Sequence, residues 1–468
     1  MSISYKTERF VGLKQALEQA NLLQTVVLFS EVKKIDHIDP LSFYRAGRER
    51  YEGERFFWQD PEKEIVIAGL GKALKLQVPA DLNRFSSMEA NWSTIRNTAV
   101  ITGVTDIIAT GPLLFGGFSF DPNKSDSRLW EHFGDNLFYI PSLMLSVVKG
   151  QAYVTTNTLC TPGIKGEILM EQINDWDKLV NGKTIESMLE NKVQNQTEIH
   201  PEAWKDTVAQ AVQELKETDM DKIVLARELR VTCTERIQSE TVLNQMQKEQ
   251  PKSYIFSLES ESDCFIGATP ERLVKKQDSE MLSACLAGSI ARGKTEEQDT
   301  LLGNELLHDE KNLMEHQYVV SMITGALETV CEKLMVPREP GLMKNRHIQH
   351  LYTPVRGTCA RDVSMFQVVD KLHPTPAMGG LPKEKAVSRI REIEELERGF
   401  YAGPIGWIDS YGNGEFAVGI RSGLLQGNEA SLFAGCGVVA DSIPESEYRE
   451  TSIKFNPMLS ALGGTLNE

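Results

Sequence analysis

The sequence predicts an α+β protein built on antiparallel sheets. Three observations carry this. Residues 414–423 alternate with period two, setting Phe416, Val418 and Ile420 against Ala417, Gly419 and Arg421, as a two-faced strand does. Trp204, Val208, Val212 and Leu215 recur at helical spacing. Strand-like and helix-like segments also lack the regular β–α–β alternation of a parallel doubly wound sheet.

The elements follow in order. Residues 64–71 read as a strand ending in a glycine turn, and residues 99–120, rich in Thr, Ile and Gly, as strands and tight turns. The polar stretch 190–202 reads as a connection between halves, dividing 1–195 from 196–468. A strand starts at Asp221-Lys222, and residues 298–334 form one long helical pattern without proline. Ser442 and Glu445 have capping-box spacing, with Pro444 between them, so a helix begins there. No internal repeat or low-complexity segment interrupts the chain.

Composition narrows the function. The 468 residues can bury a large core without disulfide or metal staples. With 66 acidic and 50 basic side chains the net charge is −16, which argues against nucleic acid or an anionic membrane as the main partner. No run approaches the 18 or so apolar residues of a membrane helix, and residues 1–10 lack the apolar core of a signal peptide, so a cytoplasmic protein is expected. The seven cysteines are scattered with no CxxC pair, which reads as buried, reduced thiols rather than a zinc or redox motif.

The chemistry-bearing residues are acidic. Glu447 and Glu450 lie three apart on one helical face, where two carboxylates repel unless solvated, paired or bound to a cation. Glu315 follows Lys311 by four residues, the spacing of an ordinary intrahelical ion pair. If Glu315 meets Glu447 and Glu450 in space, the oxygen set suits Mg2+. Arg421 ends a row of small side chains and offers a cation to a carboxylate, and Gly435 and Gly437 allow close backbone approach to an anion. Lys222 heads an apolar strand and Glu271 follows Pro270 at a strand-to-turn position, both suited to acid–base work. Gly69-Leu70-Gly71 lacks the third glycine of a dinucleotide loop, and neither a phosphate-binding loop nor a serine-nucleophile elbow occurs. His347 and His350 have no nearby Cys or further His to complete a metal site.

Taken in order, these segments resemble the chorismate-utilising enzymes. The resemblance rests on residues 222–227, 267–273, 286–289, 310–316, 350–351, 372–377, 399–403, 420–421, 433–437 and 447–451, densely over 200–468 and more loosely before. In length and motifs it is nearest to isochorismate synthases of menaquinone biosynthesis. It implies two large stacked antiparallel sheets flanked by helices, with residues 1–195 interwoven with a chorismate-binding region at 196–468. It implies an Mg2+-dependent site, chorismate as the small-molecule substrate, and no obligatory protein partner. By motif, Lys222 is similar to the base that activates water, and Glu271 to the acid that protonates the departing hydroxyl. Glu315, Glu447 and Glu450 resemble the Mg2+ shell. Arg421, Tyr401, Gly435 and Gly437 resemble the carboxylate clamp, and Gly288, Ser289, His350, Thr375 and Lys454 match other pocket positions. Asn312 stands where some relatives carry a carboxylate. Ala287 stands where aminodeoxychorismate synthases often carry a nucleophilic lysine, and Lys222 favours water over the ammonia of anthranilate synthases. Salicylate synthases share both Lys222 and Glu271 and then eliminate pyruvate. An intact acid and base argue against a non-catalytic sensor.

Overall fold

A computed structural model describes residues 2–124, 128–181, 191–344, 348–360 and 362–465. Its 21 strands belong to one hydrogen-bonded network. Every strand pairing is antiparallel except that of Val27–Ile35 with Val100–Gly103. The α+β class and the helix-flanked antiparallel sheet are as the sequence predicts.

The network has two arms that share a root. Strands Ile65–Leu76 and Asn136–Val148 pair along their lengths, with a register shift between Lys72 and Leu74. One arm runs from Ile65–Leu76 through Arg55–Gln59, Tyr254–Ser260, Asp263–Thr269, Ser422–Gln426 and Glu429–Val438 to Lys222–Cys233. The other leaves Asn136–Val148 at its first residues. It continues through Leu113–Phe118, Pro404–Asp409, Gly414–Val418, Arg272–Gln277 and Glu280–Ala291 to Ile348–Cys359.

Alternation along the strands shows how the layers stack. Phe56 and Trp58 belong to a core cluster that also holds Trp407 and Phe416 of the second arm. Their neighbour Phe57 belongs to a second cluster, with Leu13, Val242 and Phe455 of outer helices. Successive side chains of a strand point to opposite faces, so the first arm is buried on both. Strands from both sides of residue 195 pair directly, as Arg55–Gln59 does with Tyr254–Ser260.

The chain passes from arm to arm at two places that matter for the site. Asp263–Thr269 leads into Arg272–Gln277 across Pro270 and Glu271. Gly414–Val418 leads into Ser422–Gln426 across Gly419, Ile420 and Arg421. The crossings bond to each other: Val418 N–H donates to Glu271 C=O at 3.0 Å, and Ala268 N–H to Arg421 C=O at 3.1 Å.

Several sequence expectations are corrected. Residues 414–423 are not one strand, because the sheet edge changes at 419–421, where Arg421 takes φ +51°. The 298–334 pattern is two helices, Glu296–His308 and Glu310–Glu328, followed by strand Cys331–Met335. Asp309 breaks the pattern, since its side chain accepts the Asn312 N–H and caps the second helix. Residues 193–198, inside the presumed connection, form a strand beside Lys222–Cys233. Gly71, at φ +67°, lies within a strand rather than ending it. Helix Pro444–Ala461 begins as predicted but without a Ser442 cap; that hydroxyl accepts the Val439 N–H instead. Cys331 and Cys359, opposite one another on paired strands, form a disulfide, whereas Cys160, Cys233, Cys264, Cys285 and Cys436 are buried free thiols.

Phe118 is fully buried against Phe85, Phe138 and Phe366. Phe118→Ala is expected to destabilise the fold by about 3–5 kcal/mol, read as a lower urea midpoint at unchanged slope.

Candidate active site

The two crossings aim a carboxyl and a guanidinium into one cavity of about 420 Å3 between the arms. Its lining includes Lys222, Glu271, Gly288, Ser289, Glu315, His350, Tyr401, Arg421, Gly435, Gly437, Glu450 and Lys454. The fold thus gathers all but two of the predicted site residues. Glu447 lines an adjoining cavity of about 790 Å3, which shares Lys222, Glu315, Gly437 and Glu450 with the first. Thr375 is buried outside both linings, and its hydroxyl has no hydrogen-bond partner. His347 lies outside the described residues.

Local structure explains each placement. Lys222 starts its strand and runs beside Gly437, where a Cβ would stand 2.5 Å from Lys222 Cε. Glycine at 437 therefore makes room for the lysine. Lys222 Nζ donates to Glu315 Oε1 at 2.6 Å, so Glu315 is held across the cavity rather than by Lys311 along its own helix. On helix Pro444–Ala461, Lys454 Nζ lies 2.6 Å from Glu450 Oε1 and donates to Gly435 C=O at 2.8 Å. Ser289 and His350 face each other across paired strands, with Oγ and Nδ1 2.7 Å apart. Gly288, at φ +75°, forms the bulge before Ser289, and a Cβ there would stand 3.0 Å from Asn312 Oδ1. Asn312 in turn donates to Asp309 at 2.7 Å, so it supports the helix start and the bulge.

Burial sets the electrostatics. It pushes the Glu271 carboxyl up to about 7, against the opposing pull of Arg421, Lys222 and Lys454. It also raises Glu447, to which the neighbouring Glu450 charge adds. For Glu450 burial works upward as well, yet Lys454, Arg421 and Lys222 together bring it below the usual carboxylate range. His350 is pushed down to about 4 by burial, then by Arg421 and Lys454, so it is neutral at ordinary pH. Burial raises the Tyr401 hydroxyl as well, keeping it a hydrogen-bond donor. The cavity thus offers a protonated acid, a lysine, a second lysine with an arginine for anionic groups, and a carboxylate wall.

That wall bears on a cation. Among the described residues no three His, Cys, Asp or Glu side chains converge closely enough to ligate a metal ion directly. Glu315, Glu447 and Glu450 nevertheless line one cavity, and Glu447 and Glu450 raise the cost of each other's charge. Carboxylate oxygens are the ligand type a hard dication takes, and one bound beside them would have to keep part of its water shell.

Sequence reasoning missed Arg398 and Met378 of the lining. Arg398 lies in an irregular stretch after helix Lys383–Ile393; the i,i+4 spacing to Glu394 was its only local signal.

Comparison with known proteins gives the class. The profile of the family described as chorismate binding enzyme matches residues 15–463, and the chain belongs to that family. Over 453 residues it is 44% identical to isochorismate synthase MenF of Bacillus subtilis, covering 96% of each chain. Over 467 residues it is 35% identical to the salicylate biosynthesis isochorismate synthase of Pseudomonas aeruginosa, covering 96% of this chain and 94% of that one. The structure of MenF, the menaquinone-specific isochorismate synthase from Escherichia coli, superposes with a TM-score of 0.78 at 23% identity; it covers 96% of this chain and 100% of that one, and shows the shared fold. Among the described residues no helix is long and apolar enough to cross a membrane.

The raised Glu271 carries a pH signature. The folded protein holds this proton up to about 7, whereas the ordinary value is 4.5. Its contribution is therefore most favourable below the ordinary value and is lost as pH rises towards about 7, by about 3 kcal/mol. Glu271→Gln is expected to gain stability over the parent between about pH 4 and pH 8, by up to that amount, in urea titrations at each pH.

Proposed function

We propose that this chain is an isochorismate synthase, an isomerase acting on chorismate with Mg2+. The observation that carries the reading is Glu271, a carboxyl poised near neutrality by burial, in one cavity with Lys222. The full-length similarity to isochorismate synthases supports it. A menaquinone-pathway role in the cytoplasm, without an obligatory protein partner, is part of the same proposal.

The chemistry follows from the side chains. Water adds at C2 of the ring as Lys222, acting as the neutral amine, takes its proton. The ring double bonds shift, and the C4 hydroxyl leaves as water with the proton of Glu271. One water enters and one departs, so the net change is an isomerisation. Base and acid must reach the ring from different sides. In this cavity Lys222 comes from the first arm, whereas Glu271 sits at the crossing between arms. Arg421 and Tyr401 would hold the enolpyruvyl carboxylate, with Lys454 beside Gly435 adding charge. Ser289 and neutral His350 would orient hydroxyl groups. Glu315, Glu447 and Glu450 would hold Mg2+, partly through water. When bound, the ion supplies positive charge beside the ring carboxylate and draws electrons from the ring.

Incubation with chorismate and Mg2+, followed by chromatography, is expected to show isochorismate formed until equilibrium. Unchanged chorismate with folded protein overturns the proposal, and stoichiometric pyruvate with salicylate assigns the further elimination. Lys222→Ala is expected to lose about 10²–10⁴-fold in kcat while calorimetry still detects chorismate binding. In the parent, kcat/KM is expected to fall on the alkaline side as Glu271 of the free enzyme gives up its proton above about 7.

A further inference from the structure

The strand that carries Lys222 has an incomplete edge. One edge pairs continuously with Glu429–Val438. On the other, Gly379 to Leu381 bond with Lys222 to Val224, and the segment 193–199 bonds only from Glu228 onward. Backbone groups between these two partners need others, because a buried unpaired peptide group is costly.

Side chains fill the gap. Arg398 Nη2 donates to Val224 C=O at 2.7 Å, and Ala226 N–H donates to Glu394 Oε2 at 2.8 Å. Trp204 Nε1 donates to Ala226 C=O at 3.0 Å. Arg398 and Glu394 are themselves locked in a two-pronged pair, Nε to Oε1 at 2.6 Å and Nη2 to Oε2 at 2.7 Å. Both side chains are almost wholly buried, and the guanidinium stacks 4.2 Å from the centre of the Phe120 ring. Its remaining prong, Nη1, donates to Met378 C=O at 3.1 Å. Val224, Met378 and Arg398 all line the cavity. One guanidinium therefore ties the Lys222 strand to Met378, the residue before Gly379, whose carbonyl accepts the Val224 N–H at 3.1 Å.

We propose that Arg398, held by Glu394, is a positioning residue for the reaction: it completes the sheet edge beside Lys222 and locks that edge to the 378–381 segment paired with it. Neither residue needs to touch substrate. A planar donor fork is required, because a lysine can satisfy Glu394 or one carbonyl but cannot span Val224, Met378 and both carboxylate oxygens. The proposal rests on the isochorismate synthase reading for its kinetic arm only.

The test compares the parent with Arg398→Lys and with the paired change Arg398→Met and Glu394→Met, which leaves no buried charge behind. In Arg398→Lys kcat is expected to fall about 10–100-fold with KM for chorismate within about threefold, as a misplaced reacting group does. Hydrogen exchange by mass spectrometry is expected to speed up over residues 222–228 while the rest of the sheet keeps the parent's protection. The paired variant is expected to behave likewise. A folded variant with kcat within about threefold of the parent overturns the proposal. So does exchange that accelerates uniformly over the chain, or failure of both variants to fold, since the pair would then serve stability alone. If the parent itself does not consume chorismate, the functional reading fails, and the exchange measurement still decides whether Arg398 holds the edge.

Discussion

The constraint on which the site depends is the pair of crossings between the two arms. Each arm is an antiparallel ladder whose geometry is dictated by its own hydrogen bonds. At Pro270–Glu271 and at 419–421 the chain leaves one ladder and enters the other within two or three residues. Those residues lose strand partners and bond to each other instead, through Val418 to Glu271 and Ala268 to Arg421. A carboxyl and a guanidinium are thereby delivered to the space between the arms by the two segments that join them. The left-handed backbone of Arg421 is a consequence of that passage. The buried Glu271 is held where desolvation, the strongest influence on its proton, keeps it protonated near neutral pH.

Around these crossings the polar groups are shared rather than isolated. Lys222 meets Glu315 from a helix, Lys454 meets Glu450 and the Gly435 carbonyl, and Arg398 joins Glu394 to the Val224 and Met378 carbonyls. The net charge of −16 is no obstacle to an anionic substrate in such a place. Surface charges are screened within about 8–10 Å at ordinary salt, whereas the cavity presents Arg421 and Lys454 directly. Part of the acidic excess, at Glu315, Glu447 and Glu450, lines the adjoining chamber.

Errors in reading elements from the sequence have specific physical causes. The period-two pattern through 414–423 is real, but periodicity does not reveal that a strand changes sheets midway. The helical pattern 298–334 hides a break because Asp309 is an acceptable helix residue until its side chain caps the next segment. The polar stretch near 195 looks like a linker because an edge strand facing water needs few apolar residues. Ser442 has the spacing of a cap, yet a nearer donor at Val439 claims its hydroxyl. The cysteine reading failed at Cys331 and Cys359 because cross-strand register, not spacing along the chain, brings them together.

By itself the sequence determined the α+β class, the strand at Lys222, the helices at 201–217 and 444–461, and most of the residues that meet in the cavity. Local patterns and ordered motifs encode these, since periodicity and side-chain chemistry are legible along the chain. Only the tertiary structure decided that Glu315 holds Lys222 rather than Lys311, and that Thr375 stands outside the cavity. It alone placed Glu447 in the adjoining chamber and revealed the Arg398–Glu394 pair under the Lys222 strand. The Lys222–Glu315 contact joins residues 93 apart, and Arg398 reaches the Val224 carbonyl across 174. Such contacts are chosen by how the arms cross and pack, which no local spacing records.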